Sequence, residues 1–426
     1  MALFVFIAVF LVLFLLGMPV AFAMILSGLS YALITGTDLS FFSMEVYKST
    51  NNFILIAIPM FILTAEVMNS STVADRMFDF CNSLVSWIPG GIGHTNVLTS
   101  VIFAGMSGSA AADVGGIGYL CYQAMVKRGF DAPFSAAVTA ASSCIGPIIP
   151  PSIPVIVYAM VVSSASVIYL FLGGIIPGLL MAVLMMAYIY YISKKRGYPV
   201  EKRKSGREIG RALRKGLLPV LTPIILLVSI SSGMCTITEG AVITVVYSCI
   251  LGAFVYRRLG FKTLVECFSK VFNSCGAVLV FFVASKFFSF VLTRARIPDM
   301  LSSLVLGIST NKYFVLLLIN FVFIVLGFFS EALVNIMLFA PVFVPIALNA
   351  GVDPNVIGVM IVLNTTVGAI TPPVGTLVFN TCGITGAPLA KVFKEVTPFV
   401  IAYILLLVLM VFVPQLITAI PNLILN

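Results

Sequence analysis

The chain has 426 residues, of which 61% are hydrophobic and 9% are charged, and its mean hydropathy is +1.16. Soluble domains are less apolar and carry more charge, so these values exclude a soluble globular protein. Many apolar runs reach the roughly 20 helical residues that a hydrocarbon core requires. We therefore predict an all-α polytopic membrane protein with about ten to twelve membrane segments, because lipid forces backbone groups to pair within each segment.

The net charge of +9 is concentrated in one loop. Ten of the 24 Lys and Arg residues lie between Lys194 and Lys215, accompanied there only by Glu201 and Glu208. Basic loops stay in the cytoplasm. We therefore predict that residues 193–216 form a cytoplasmic linker between a first half (1–192) and a second half (217–426). Such a run can also bind acidic lipid headgroups, although a topology signal is the simpler interpretation. We expect the chain to contact a lipid bilayer and not to bind nucleic acid.

In the first half (1–192), a cluster of helix-breaking residues interrupts the apolar run at about 96–126. Gly105, Ser107, Gly108 and Ser109 stand in the middle of this run. The pattern predicts a re-entrant helical hairpin whose tip stops near the membrane midplane. Non-helical backbone at that depth is tolerated only inside protein or beside a water-filled cavity, so the tip is a candidate site.

The next run, at about 133–163, is also interrupted. It contains Gly146 and Pro147, followed by Pro150, Pro151 and Pro154. These residues remove amide donors and predict a broken helix with free carbonyl groups. Free carbonyls and hydroxyls can bind an alkali cation, and a facing helix N-terminus suits an anion. A packing kink is the simpler interpretation of either stretch alone.

Both interrupted stretches recur 222 residues later, in the second half (217–426). Without a gap, Gly105 pairs with Gly327, Gly146 with Gly368, and the Pro150-Pro151 pair with Pro372-Pro373. Eight of the fifty positions from 105 to 154 are identical, and most of these are Gly, Pro or Asp, which constrain the backbone. We interpret this as an internal duplication, with a second hairpin at about 312–348 and a second broken helix at about 355–385.

The distribution of charge also predicts how the halves are oriented. If the basic linker and Arg257-Arg258 are cytoplasmic, the run 217–256 crosses twice and the second hairpin enters from the opposite side to the first. This arrangement is an inverted-topology repeat.

Charged residues inside apolar runs are costly and indicate function. Glu66, Glu239 and Lys286 are candidates, but Asp113 and Glu331 rank highest because they lie within or beside the hairpin tips. The Gly and Pro residues of the two tips occupy equivalent positions, but the position equivalent to the charged Asp113 is the uncharged Asn335.

Two other classes remain as alternatives. An ion channel usually needs a continuous polar pore, which is not visible in these apolar runs. An intramembrane enzyme would need a catalytic set, yet the segment from Gly105 to Ser109 is not a G-x-S-x-G motif, and the single histidine, His94, precedes the hairpin.

Three segments together resemble the large membrane subunit of tripartite ATP-independent periplasmic (TRAP) transporters, along essentially the whole chain. They are Gly-Met-Ser-Gly-Ser-Ala-Ala-Ala-Asp (105–113), Gly-Pro-Ile-Ile-Pro-Pro-Ser (146–152) and Thr-Pro-Pro-Val-Gly (371–375). The resemblance implies a bacterial inner-membrane secondary transporter, not an enzyme, that takes up an organic acid with sodium by an elevator mechanism. It also implies two partners, a small membrane subunit, expected as a separate chain, and a periplasmic substrate-binding protein. Sialic acid is the favoured substrate, and C4-dicarboxylates or other carboxylates stay open.

Our hypothesis combines this resemblance with the breaks in the sequence. Two sodium sites are expected, one in each half, and a carboxylate substrate between the tips. The first sodium site involves Ser107, Gly108, Ser109, Ser142, Ser143, Gly146 and Pro147, and the second Ser330, Glu331, Thr366, Gly368, Thr371 and Pro372. The expected substrate-binding residues are Ser107, Ser109, Asp113, Ser330, Asn335 and Thr371.

Overall fold

The computed structural model of the chain describes residues 2–38, 40–71 and 73–425; residues 1, 39, 72 and 426, which fall inside the predicted halves, lie outside the described residues. Within these ranges the chain is helical and contains no strand, which confirms the predicted all-α class. The helices are α1 (Ala2–Leu15), α2 (Val20–Thr35), α3 (Ser40–Thr50), α4 (Ala57–Ser70), α5 (Val73–Val85), α6 (Gly91–Ser107), α7 (Ala110–Asp113), α8 (Tyr119–Lys127), α9 (Ala132–Ser143), α10 (Ile153–Val161), α11 (Val167–Arg196), α12 (Gly206–Ser231), α13 (Ile237–Ile250), α14 (Phe261–Arg294), α15 (Ile297–Ile308), α16 (Lys312–Phe329), α17 (Ala332–Asn349), α18 (Pro354–Gly368), α19 (Thr376–Thr385), α20 (Leu389–Phe412) and α21 (Gln415–Leu425).

Among the described residues, seven helices are long and apolar enough to cross a membrane. They are α11, α14, α16, α17 and α20, together with α4 and α13 when these are extended by the short helical turns Phe53–Ile56 and Leu251–Val255. The membrane class predicted from composition is confirmed. The two parts of α12, Gly206–Arg214 and Gly216–Ser231, are bent by 50° and would together make an eighth span. The shorter apolar helices are α1, α2, α15, α18 and α21.

The first hairpin consists of α6 and a second arm that runs from α7 to α8. Its tip is Gly108, whose φ of +59° is readily available only to glycine. The second arm contains a π-helical turn, Val114–Gly118, between α7 and α8. The first arm begins at Gly91, five residues before the predicted start, because Gly90 with its φ of +82° turns the chain there.

The other interrupted stretches also form pairs of helices. The first broken helix consists of α9 and α10, the second hairpin of α16 and α17, and the second broken helix of α18 and α19. The Pro150-Pro151 and Pro372-Pro373 peptide bonds are both cis. The bounds of these helices show that the chain leaves the helix at each predicted break.

Hairpins and broken helices from both halves contribute to one buried core. Cys144 Sγ lies 3.3 Å from the carbonyl oxygen of Thr366, the residue 222 positions later. Within each half, a polar contact joins the broken helix to the hairpin: Ser142 Oγ donates to Asn96 Oδ1 (3.2 Å), and Asn364 Nδ2 donates to Asn320 Oδ1 (2.5 Å). These contacts join the two broken helices to each other and each broken helix to an arm of its hairpin.

Candidate functional site

An open cleft of about 760 Å³ lies between the two halves, where the hairpin tips meet the breaks. Five residues predicted from the sequence line it: Gly108, Ser109 and Pro147 from the first half, and Glu331 and Thr366 from the second. The fold therefore brings members of both predicted clusters to one opening.

The first two residues of four helices line this cleft. They are Ala110 and Ala111 of α7, Ile153 and Pro154 of α10, Ala332 and Leu333 of α17, and Thr376 and Leu377 of α19. A helix N-terminus carries a partial positive charge and amide groups without intrahelical partners. Four such ends at one opening favour a negatively charged group there.

The four helix ends are not equally available. In the first half, Ser109 Oγ accepts from the amide of Ala112 (3.4 Å) and Ser152 Oγ accepts from the amide of Val155 (3.2 Å). In the second half, α17 and α19 follow Glu331 and Gly375, and neither end has a capping hydrogen bond from the side chain of that residue. In α19, however, the Leu377 amide donates to the Ala369 carbonyl oxygen and the Val378 amide to the Gly375 carbonyl oxygen, both at 2.9 Å. The first amides of α17 are thus the better donors for an anionic ligand.

Asp113, in the arm behind the first tip, is fully buried. Neither of its carboxyl oxygens has a hydrogen-bond partner of normal geometry among the described residues, although the hydroxyls of Ser143 and Ser100 face it. The Ser107 hydroxyl is also buried without a partner in the described part of the chain. Buried polar groups normally have a partner, so these oxygens suit a ligand such as a cation.

The second tip is closed by its own side chains. Asn335, at the position equivalent to Asp113, is fully buried. Its Nδ2 donates to the Ser330 carbonyl (3.0 Å), and its Oδ1 accepts from Ser330 Oγ. These two residues stabilise the loop and do not line the cleft. The two tips therefore differ in chemistry, with a buried carboxyl in one and a closed amide contact in the other.

Several of the predicted hydroxyl groups, including that of the cleft residue Thr366, donate to nearby backbone carbonyls. Ser143 Oγ donates to Thr139 O (2.8 Å), Thr371 Oγ1 to Val367 O (2.7 Å), and Thr366 Oγ1 to Leu363 O (2.9 Å). A serine or threonine in a helix commonly bonds to a preceding carbonyl in this way. Each of these hydroxyls can still accept a hydrogen bond or contact a cation through its oxygen.

Glycine and proline shape the breaks beside the cleft. Gly146 lies against the Ser109 backbone, and a Cβ at position 146 would be 3.4 Å from the Ser109 carbonyl oxygen. Gly368 faces Gly327 where α18 crosses α16. Pro372, part of the cis peptide bond that precedes α19, is half-buried and lies outside the cleft lining.

Asn380 and Thr376, both on α19, line the cleft but were not predicted. They are four residues apart and so share one face of the helix. Two polar side chains four residues apart, directly after the Pro-Pro break, were the sequence pattern that could have indicated these cleft residues. Within the described ranges, no group of three or more His, Cys, Asp or Glu residues is placed to hold a metal ion.

Comparison with known proteins gives a consistent match. Residues 7–416 match the family described as tripartite ATP-independent periplasmic transporter, DctM component. The chain is 37% identical to the sialic acid TRAP transporter large permease protein SiaM of Vibrio cholerae, over 96% of each chain. It is 36% identical to the sialic acid TRAP transporter permease protein SiaT of Haemophilus influenzae, over 97% of this chain and 67% of SiaT. The C4-dicarboxylate TRAP transporter large permease protein DctM of Pseudomonas aeruginosa is 35% identical, over 89% of each chain.

Two solved structures have a similar fold. The YdaH transporter of Alcanivorax borkumensis aligns with a TM-score of 0.63 at 12% identity, over 88% of each chain. MtrF of Neisseria gonorrhoeae aligns with a TM-score of 0.58 at 15% identity, over 90% of this chain and 86% of MtrF. At these identities the similarity concerns the fold alone.

Proposed function

This chain belongs to the DctM family of tripartite ATP-independent periplasmic transporters, and on that premise we propose that it carries an organic acid into the cell together with sodium. It is a transporter of the bacterial inner membrane and not an enzyme. The convergence of four helix N-termini on the cleft carries the proposal, because it favours a carboxylate group at that position. Sialic acid is the favoured substrate, since SiaM and SiaT are named as sialic acid transporters.

We place the substrate carboxylate at the first turn of α17, whose amides have no side-chain cap. Asn380 would then contact polar groups elsewhere on the substrate. Glu331 also lines the cleft, so a cation between Glu331 and the substrate would lower their mutual repulsion. C4-dicarboxylates and other carboxylates fit the same arrangement, as the similarity to DctM of Pseudomonas aeruginosa suggests.

We assign one sodium ion to the Asp113 carboxyl, with the Ser107, Ser143 and Ser142 hydroxyls and the backbone of Gly108 as further oxygen sources. A second ion would use carbonyl oxygens around Thr366 and Gly368. The support is chemical: sodium prefers oxygen ligands, and Asp113 is a buried carboxylate without a partner among the described residues.

The experiment is uptake of labelled sialic acid into proteoliposomes that contain this chain with the small membrane subunit. The periplasmic binding protein is added outside. We expect accumulation only with an inward sodium gradient and only with the binding protein. A current without the binding protein would favour a channel, and uptake without sodium would refute the coupling.

Two variants separate the cation site from the substrate cleft. Asp113→Asn should raise the sodium concentration for half-maximal uptake at least about tenfold, because a charged ligand is replaced by a neutral one. Ala332→Phe, which fills the cleft beside α17, should abolish uptake and leave sodium binding intact. Glu66→Gln is the matched control, since Glu66 pairs with Lys270 Nζ at 3.3 Å and does not line the cleft. If Glu66→Gln and Asp113→Asn behave alike, the assignment of Asp113 is wrong.

We further propose an elevator motion, in which both hairpins and both broken helices move as one body. Contacts between the two broken helices support it: Cys144 lies against the Thr366 carbonyl, and Tyr158 Oη of α10 donates to the Pro354 carbonyl of α18 at 2.8 Å. The test introduces Ser109→Cys or Glu331→Cys into a cysteine-free background and labels the new thiol from each side of the membrane. Both thiols should be accessible from the same side, and both should become accessible from the other side together. A change at only one tip would refute movement as a single body.

A further inference from the structure

We propose that the ends of α5 and α12 nearest the basic linker bind the phosphate headgroup of an anionic membrane lipid. Arg76 of α5, Arg211 and Arg214 of α12, and Tyr256 after α13 line an opening of about 660 Å³. The linker's positive charge predicts that this face is cytoplasmic, where the inner leaflet supplies anionic lipid. The proposal does not depend on the transported substrate.

The three guanidinium groups form no direct ion pair with any residue that the structure describes. Among the described residues, ion pairs are formed by Arg128, Arg196 and Lys270 and by none of these three arginines. Asp79 and Glu208 line an adjoining opening that shares Arg76 and Arg211. Three cations at one opening without paired carboxylates favour an anion there.

Glu208 is already engaged by its own helix. Its Oε2 accepts from the backbone amide of Ser205 at 2.8 Å and from the Ser205 hydroxyl at 2.9 Å. This capping box holds the carboxylate at the start of α12, in the opposite direction from Arg214 along the chain. The carboxylate therefore offsets part of the charge of Arg211, three residues later on the same helix, and leaves Arg76 and Arg214 as the cations available to an anion.

Tyr256 supplies an independent observation. Its side chain is 7% exposed, and its buried hydroxyl has no hydrogen-bond partner in the described part of the chain. Arg76 stacks on the ring, with the guanidinium carbon 4.2 Å from the ring centre. A buried hydroxyl without a partner is costly, and a phosphate oxygen beside Arg76 would accept its hydrogen bond.

The neighbouring apolar surface favours a lipid over a soluble phosphate compound. Leu218 and Val255 line the same opening, and Val255 is 48% exposed. Phe254, next to it in the chain, is 75% exposed. A headgroup at the arginines would thus lie beside a surface that acyl chains can cover.

The test is native mass spectrometry of the full chain released from nanodiscs that contain equal amounts of phosphatidylglycerol and phosphatidylcholine. We expect the wild-type chain to retain phosphatidylglycerol preferentially. Arg211→Gln/Arg214→Gln should weaken its apparent affinity about 30-fold, because each basic side chain near an anionic headgroup contributes about fivefold. Tyr256→Phe, which removes only one hydroxyl, should weaken it about tenfold.

Lys202→Gln/Arg207→Gln is the matched control. It removes the same number of charges from exposed positions in the same basic region, outside the opening. It should change the affinity less than about threefold, and an equal loss in both double variants would show diffuse attraction and overturn the proposal. Displacement of the lipid by millimolar inorganic phosphate would show that a soluble anion is the ligand and would also overturn it. The Tyr256→Phe result keeps the test decisive if the double variant folds poorly.

Discussion

Replacing Gly368 with alanine tests the contact between α16 and α18 beside the cleft. A Cβ at this position would lie 2.6 Å from the Gly327 Cα and 2.6 Å from the Ile324 carbonyl oxygen. Ordinary van der Waals contact begins at 3.4 Å, so the helices would have to separate by about 0.8 Å, which is 3.4 minus 2.6. Both obstructing atoms are backbone atoms, so no side-chain rotation relieves the clash. Overpacking of this kind costs about 1–3 kcal/mol of the free energy of unfolding.

The measurement is the loss of the folded chain on heating in detergent, combined with sodium-dependent uptake in proteoliposomes. Gly383→Ala is the control, because Gly383 is an exposed residue within α19 and a Cβ there would meet no atom of another helix within 4 Å. This control should be as stable as the wild type or gain up to about 1 kcal/mol from better helix propensity. Gly368→Ala should melt below both and transport less. If it melts at or above the wild-type temperature, the close contact is not rigid and the argument fails.

Three further outcomes are expected. Gly146→Ala should be milder than Gly368→Ala, since the nearest atom, the Ser143 carbonyl oxygen, would be 3.2 Å away, whereas Gly146→Val should abolish sodium-dependent uptake. Asn335→Ala should expose the second tip to amide exchange and cost about 1–3 kcal/mol, with the first tip as the internal reference. Hydrogen bonds from Ser205 lower the pKa of Glu208. The capping box should therefore stabilise the start of α12 at any pH above the ordinary glutamate pKa, and this stabilisation should be lost as the pH falls through the lowered pKa. Amide exchange followed against pH should reveal this loosening, and an unchanged profile in Ser205→Ala would contradict it.

Fold class, the two hairpins and the two broken helices were predictable from the sequence. Their signals are local: long apolar runs require helices in lipid, and Gly and Pro interrupt helices wherever they cluster. Gly108 at φ +59° is one example, because its role follows from its own backbone freedom. The 222-residue offset relates the two halves, and the inverted orientation, which was inferred from the distribution of charge, remains a prediction.

The lining of the cleft depended on the tertiary structure. Asp113 and Asn335 occupy equivalent positions in the sequence, yet Asn335 bonds to its own tip while the Asp113 carboxyl has no partner among the described residues. The four-residue spacing of Thr376 and Asn380 was only a weak local signal, and Asn380 reaches the cleft because α19 begins there. Side-chain partners and the direction of a helix end depend on segments hundreds of residues apart, and neither periodicity nor residue type specifies those distances. The sequence therefore predicts where the helices break, and the packing between the halves decides which atoms face the ligand.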